Sequence, residues 1–252
     1  MLVILGLLTG GILAGQSLIQ SAELRSVTTE QSRWVTAAQS FRDKYFGIPG
    51  DFSSATRFWG RQVNASDCVT NSSASVNTSG ACDGDASGGL GFAPAAAKAG
   101  ENLQFWRQLT LAGLIEGTYS GVAGPSDVLD ANPLGTTVPQ ARLPNAGWWA
   151  ETRDGLFGNS SNYMLDYRNR LVFGAVKAAS ATHGPALTPE EAWNIDSKLD
   201  DGKPATGKVI AFHWNSECAA ADDGTNANTD LVASYRLSDK STLCALSFRH
   251  AF

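Results

Sequence analysis

Positive charge is scarce in this chain and nowhere clustered. Nineteen Lys and Arg stand against 24 Asp and Glu, a formal charge of -5 at pH 7. A nucleic-acid surface needs a basic patch or stripe, so no nucleic-acid partner is expected. Histidine is nearly missing: His183, His213 and His250 are the only three, in unrelated contexts. The chain has no Gly-x-Ser-x-Gly elbow, no His-Glu-x-x-His and no Gly-rich loop ahead of Lys-Ser/Thr. The recognisable signatures of serine hydrolases, zinc proteases and phosphate-loop enzymes are therefore absent. Ser87-Gly88-Gly89-Leu90-Gly91 follows no strand and makes no dinucleotide fingerprint. His213 beside Trp214, in an expected strand, reads as packing. No Cys-x-x-Cys occurs, which removes zinc-ribbon and thioredoxin-type readings. Charged residues make up only 17% of the chain, and Gly, Ser, Ala and Thr abound. That composition reads as a loop-rich head outside the cytoplasm and not as a cytosolic enzyme core.

Charge is missing altogether from Met1–Ile19. At about 1.5 Å per residue this run spans about 28 Å, close to a bilayer core of about 30 Å. Beyond it, no Pro or Gly interrupts Gln20 to Tyr45, and Val27, Trp34, Ala38, Phe41 and Tyr45 recur at helical spacing. One long helix is expected: residues 1–19 apolar all round, residues 20–46 one-sided. Ile48-Pro49-Gly50-Asp51 should stop it and open a head over residues 47–252. No Lys or Arg precedes the apolar run, and Leu13-Ala14-Gly15-Gln16 is a poor peptidase site, so a cleaved secretion signal is the lesser reading. Gly6 and Gly10 are spaced as Gly-x-x-x-Gly, as are Gly11 and Gly15, which lets helices approach closely. The plain abundance of Gly in membrane helices accounts for the same residues. Each also weakens the helix by about 1 kcal/mol relative to Ala.

The four cysteines, Cys68, Cys82, Cys218 and Cys244, are even in number and widely spaced behind a membrane-type N-terminus, which favours disulfides in an oxidising compartment. They allow three connectivities, and four buried thiols are the rival state. The pairing Cys68–Cys82 with Cys218–Cys244 keeps each bridge inside one Gly/Asn/Ser-rich excursion. Asp196, Asp200 and Asp201 form the one acidic group with metal-like chemistry. Asp196 and Asp200 lie one helical turn apart, and oxygen-rich turns can hold calcium. The spacing misses the Asp-x-Asp-x-Asp-Gly loop, and capping of local backbone amides is the stronger reading. No other cofactor is expected.

The remaining pattern is α+β. Short helical signal covers Ser53–Trp59, with Ala55, Phe58 and Trp59 inward, and Val63–Gly91 reads as a loop. A second helix is expected over Ala95–Ile115, with Gly117 as its left-handed stop. Thr118–Trp149 reads as irregular. Tyr163–Val176 contains a strand at Leu171-Val172-Phe173. Thr188-Pro189-Glu190-Glu191 is a capping-box helix start, with Ala192, Trp193, Ile195 and Leu199 inward and Gly202 as stop. Lys208–Trp214, Leu231–Leu237 and Leu243–Phe248 complete a small antiparallel sheet.

Several stretches resemble the type IV pilin-like proteins, the family with a prepilin N-terminal cleavage and methylation signal. Val3-Ile4-Leu5-Gly6-Leu7-Leu8 followed by Gly10-Gly11 resembles the interior of the family's hydrophobic helix. Phe41-Arg42-Asp43-Lys44-Tyr45-Phe46-Gly47-Ile48-Pro49-Gly50-Asp51 is similar to the helix-to-head junction of a large-headed branch. Phe105-Trp106-Arg107-Gln108-Leu109 and Ile195-Asp196-Ser197-Lys198-Leu199-Asp200-Asp201-Gly202 are similar to that branch too. The resemblance implies a non-enzymatic subunit of a type IV pilus or type II secretion pseudopilus. Such a subunit waits in the bacterial inner membrane with its head outside the cytoplasm, then assembles with itself or other pilins through dedicated machinery. It also implies a basic leader, a cleavage glycine, a methylated first residue and a glutamate ahead of the apolar run. Aligned at Gly6, Met1 falls about eight residues inside the mature helix, as in a start that is truncated or assigned at an internal methionine, the favoured reading, or in a chain that has lost peptidase processing. The alternative from another class is a secreted or membrane-anchored hydrolase or binding domain with an uncleaved signal-like N-terminus.

Overall fold

The structure, a computed structural model, describes residues 2–62, 79–91, 100–123, 134–177, 182–212, 217–220 and 228–252. Within the first helix, side-chain surroundings are described at residue 15 and from residue 18 onward. Helix α1 runs unbroken over Leu2–Tyr45, 44 residues. Its end follows from the sequence: Phe46 turns left-handed at φ 56°, and Gly50 at φ 89° sits where an added Cβ would meet Glu101 O at 2.2 Å. Three shorter helices follow, α2 (Ala55–Trp59), α3 (Glu101–Leu111) and α4 (Pro189–Leu199).

Four strands, β1 (Ala146–Arg153), β2 (Arg168–Ala175), β6 (Leu246–Phe248) and β3 (Val209–Ala211), form an antiparallel sheet in the order β1-β2-β6-β3. Strands β4 (Ala219–Ala220) and β5 (Ser234–Tyr235) make a separate pair. Register decides what each sheet face carries, because side chains alternate along a strand. Trp148 lies opposite Phe173, Ala150 opposite Leu171, and Leu171 opposite Phe248. These pack with Trp34, Ala38 and Phe41 of α1 and Leu103, Trp106 and Leu109 of α3 in one buried core. On the other face, Glu151 lies opposite Arg170 and Val172 opposite Ser247. A second cluster containing Tyr163, Tyr167, Ile210 and Ala219 is the smaller apolar unit of the head.

The buried ion pair on that second face is well held. Arg170 Nη2 and Nε donate to Glu151 Oε1 at 2.5 and 2.9 Å, and Nη1 donates to Asn162 Oδ1 at 3.0 Å. Its guanidinium also lies 4.4 Å from the Tyr167 ring centroid. Two neighbouring arginines, Arg170 and Arg153, hold Glu151 below the usual carboxylate range against the opposing effect of burial. Removing either partner of such a pair would leave an uncompensated buried charge.

An α+β chain with an N-terminal helix and a small antiparallel sheet is thus what the sequence pattern predicts, with local corrections. β1 occupies residues expected to be irregular: Trp148 and Trp149 sit inside a strand, beyond a turn where Asn145 takes φ 59°. Helix α3 ends at Leu111, four residues short of Ile115, because Gly113 at φ 71° makes the left-handed exit ahead of Gly117. The start at Ala95 falls outside the described residues. Phe58 is 60% exposed while Ala55 is buried, and on α4 Ala192 and Ile195 point inward while Trp193 and Leu199 remain 39% and 38% exposed. The inward stripe on α4 is therefore narrower than the apolar residues on it. The expected strand over Leu231–Leu237 shrinks to Ser234–Tyr235, and the end of Lys208–Trp214, with His213, lies outside the described residues.

Candidate functional site

Helix α1 meets the head from Gln20 onward among the described residues. Gln20 Nε2 donates to Glu191 Oε1 at 2.5 Å, and Leu24 and Val27 begin the apolar contact. Glu30 then accepts the Arg142 amide at 3.0 Å and the Trp148 indole N–H at 2.7 Å, which ties the helix to the sheet. Trp34 packs edge-on against Trp106 at 5.4 Å between centroids. Near the end, Phe41 and Tyr45 join Phe52, Phe58 and Trp59 in an aromatic cluster. The hydroxyls of Thr28, Thr29, Ser32 and Thr36 all donate back to carbonyls of their own helix, three or four residues earlier. A helix with its hydroxyls satisfied internally presents few unmet donors to whatever it packs against.

Ahead of Gln20 the described residues are open. Leu18 and Ile19 are 72% and 62% exposed, and a Cβ built on Gly15 would meet nothing within 4 Å. Gly6, Gly10 and Gly11 lie in the same helix, but their surroundings fall outside the described residues, as do the side chains of residues 1–14. Among the described residues no helix is long and apolar enough to cross a membrane. The side chains of the charge-free run expected to do so lie mostly outside them.

The acidic turn after α4 assembles as expected. Oxygens of Asp196, Asp200 and Asp201 lie within 4.8 Å of one another. Asp196 is fully buried and accepts the Tyr235 hydroxyl at 2.8 Å and the Gly202 amide at 3.2 Å. Asp200 takes the Lys208 and Val209 amides through one oxygen, and Asp201 takes the Lys203 amide at 2.9 Å and the Thr206 hydroxyl at 2.5 Å. Burial pushes the Asp196 carboxyl up to about 7, with Asp201 and Asp200 adding to the rise and the two hydrogen bonds opposing it. Such oxygens suit a hard divalent cation, but each carboxylate already serves the turn's own donors. Turn-capping is the role the geometry carries.

A second trio was not legible in the sequence. Asp51, Asp85 and Glu101 also bring oxygens within 4.8 Å. Asp51 accepts the Ser87 and Gly88 amides at 3.0 and 2.8 Å, while Glu101 accepts those of Asp85 and Gly91 at 2.9 and 2.7 Å. Burial raises the Asp51 and Glu101 carboxyls, and hydrogen bonds from Ser87 lower that of Asp85. The three come from a turn, a glycine-rich loop and a helix start, so no spacing rule could join them. The only local signal was an acid after Pro49-Gly50, and Gly84 permits the approach, since a Cβ there would meet Asp51 C at 2.3 Å.

The disulfide Cys218–Cys244 is present, with both residues buried and Cα atoms 5.0 Å apart. Cys82 is disulfide-bonded as well, and Cys68, its expected mate, lies outside the described residues. Of the histidines, His183 stacks on Phe212 at 5.7 Å, and burial first, then Lys177, pushes it down to about 4. His250 takes φ 50° beside Arg249. No protein-family model, curated protein or solved structure matches the chain.

Proposed function

We propose that this chain is a non-enzymatic structural subunit of a type IV pilin-like filament, in a pilus or a type II secretion pseudopilus, and that it assembles through its N-terminal helix. One observation carries the reading: a single unbroken helix of 44 residues is fixed to the head from Gln20 onward and continues beyond it as a charge-free run. Such a run needs an apolar surrounding that the described head does not offer to Leu18 or Ile19. Lipid supplies it before assembly, and the helices of other copies supply it afterwards. The four glycines then serve close helix approach. In this reading the head stays outside the cytoplasm, consistent with the Cys218–Cys244 bridge, since disulfides persist in oxidising compartments.

The test is to place charge inside the run. Leu13→Lys or Gly10→Glu, in the full reading frame with its assembly machinery, costs about 3 kcal/mol at a membrane-helix centre. Filaments or secretion are lost while the head of each full-length variant stays folded. Unimpaired filaments in both variants would defeat the proposal.

A further inference from the structure

A groove of about 510 Å³ runs beside α1 at the membrane-proximal end of the head, and its floor begins at Ala22. Its walls carry three arginines, Arg25, Arg33 and Arg142, and two carboxylates, Glu30 and Glu116. The carboxylates are already engaged. Glu30 takes the Arg142 amide and the Trp148 indole, and Glu116 faces Arg33 at 3.5 Å. Arg33 also lies over the Trp34 ring at 5.0 Å. Arg25 and Arg142 are exposed, and among the described residues neither guanidinium has an ion-pair partner. Among these residues Glu30 has no ion-pair partner either, so three guanidiniums against two carboxylates leave the groove with a net positive charge, and the planar fork of Arg suits phosphate oxygens.

Position along the helix selects the anion. If Ile19 marks the edge of the hydrocarbon, Ala22 to Arg25 stand about 5–9 Å beyond it. The headgroup layer on each side of a bilayer is about 5–8 Å deep. We propose that this groove binds the phosphodiester of an anionic phospholipid headgroup, with Arg25 at headgroup level and Arg142 on the upper wall. The site rests on the membrane reading of the N-terminal run. It holds the head in a fixed orientation over the bilayer before assembly. Entry into a filament strips the lipid away and frees both arginines.

The experiment reconstitutes the full chain in nanodiscs of phosphatidylcholine with a minority of phosphatidylglycerol. Native mass spectrometry then counts the phosphatidylglycerol retained per chain as salt is raised. Retention should weaken about fivefold for Arg25→Gln or Arg142→Gln, and the pair should weaken it beyond either single variant, non-additively because both hold one phosphodiester. Arg57→Gln, on the exposed side of α2, should change nothing, and high salt should release the lipid. Equal retention in the double variant overturns the site while leaving filament assembly untouched. Displacement by millimolar inorganic phosphate makes it a free-anion site and overturns the lipid assignment. A chain that fails to enter even neutral bilayers overturns the membrane reading and this site with it.

Discussion

The two halves of α1 are one helix with two different reasons to be helical. Residues 20–45 are helical in the ordinary globular way. Val27, Trp34, Ala38 and Phe41 form a buried stripe, and the opposite side carries Arg25, Thr29, Ser32 and Thr36. Residues 2–19 have neither charge nor a polar side, and they contain the four glycines. In water the second pattern is poor helix, because about 1 kcal/mol is lost at each Gly relative to Ala. It is good helix where no other backbone hydrogen-bond partner exists, as in lipid or among packed helices. The comparison teaches that residues 20–45 are held by their own head, whereas residues 2–19, on the proposed reading, take their support from lipid or neighbouring helices.

The largest effect that sharpens this contrast is in the packed half. Phe41→Ala removes a fully buried ring from the aromatic cluster and should cost about 3–5 kcal/mol of head stability by chemical denaturation. Leu18→Ala, at a residue 72% exposed ahead of the packed half, should leave the head's denaturation midpoint where it was. A matching loss at both sites would erase the distinction between the halves.

A smaller effect is expected at α4, the helix that docks on α1. The folded Asp196 carboxyl sits at about 7 against an ordinary 3.8, so the folded state holds the proton more tightly. Its contribution to stability is full below the ordinary value and is lost as pH rises through 7. Denaturation midpoints should therefore fall between pH 4 and 8, and Asp196→Asn should flatten that slope. A slope that survives the substitution assigns the pH dependence elsewhere.

The smallest effect is at the cap. Thr188 accepts the Glu191 amide, and Glu191 returns the bond to Thr188 N while also holding Gln20. Thr188→Ala should cost about 1 kcal/mol. Hydrogen exchange should show the loss at the start of α4, with the amides of α3 unaffected.

Much of this division was visible in the residues themselves. A 3.6-residue stripe ending at Pro49, and a Thr-Pro-Glu-Glu capping box, are local signals and place α1 and α4 closely. β1 was missed because its evidence is not local: Trp148 and Trp149 point to opposite faces and are stabilised by β2 and α1, far along the chain. The trio Asp51, Asp85 and Glu101 was missed for the same reason, while Asp196, Asp200 and Asp201 fall within one turn and were found. On α4, composition overstated burial, since Trp193 and Leu199 are apolar yet half-exposed at the edge of the stripe.

The most direct measurement of the central claim separates insertion from assembly. Gly11→Leu keeps the run uncharged and raises its hydrophobicity, but puts bulk where a neighbouring helix would come closest. Expressed in the full reading frame with its assembly machinery, the variant should enter the membrane as the parent does and fail to form filaments. Filaments or secretion at the parental level, in a variant that inserts normally, would contradict the account.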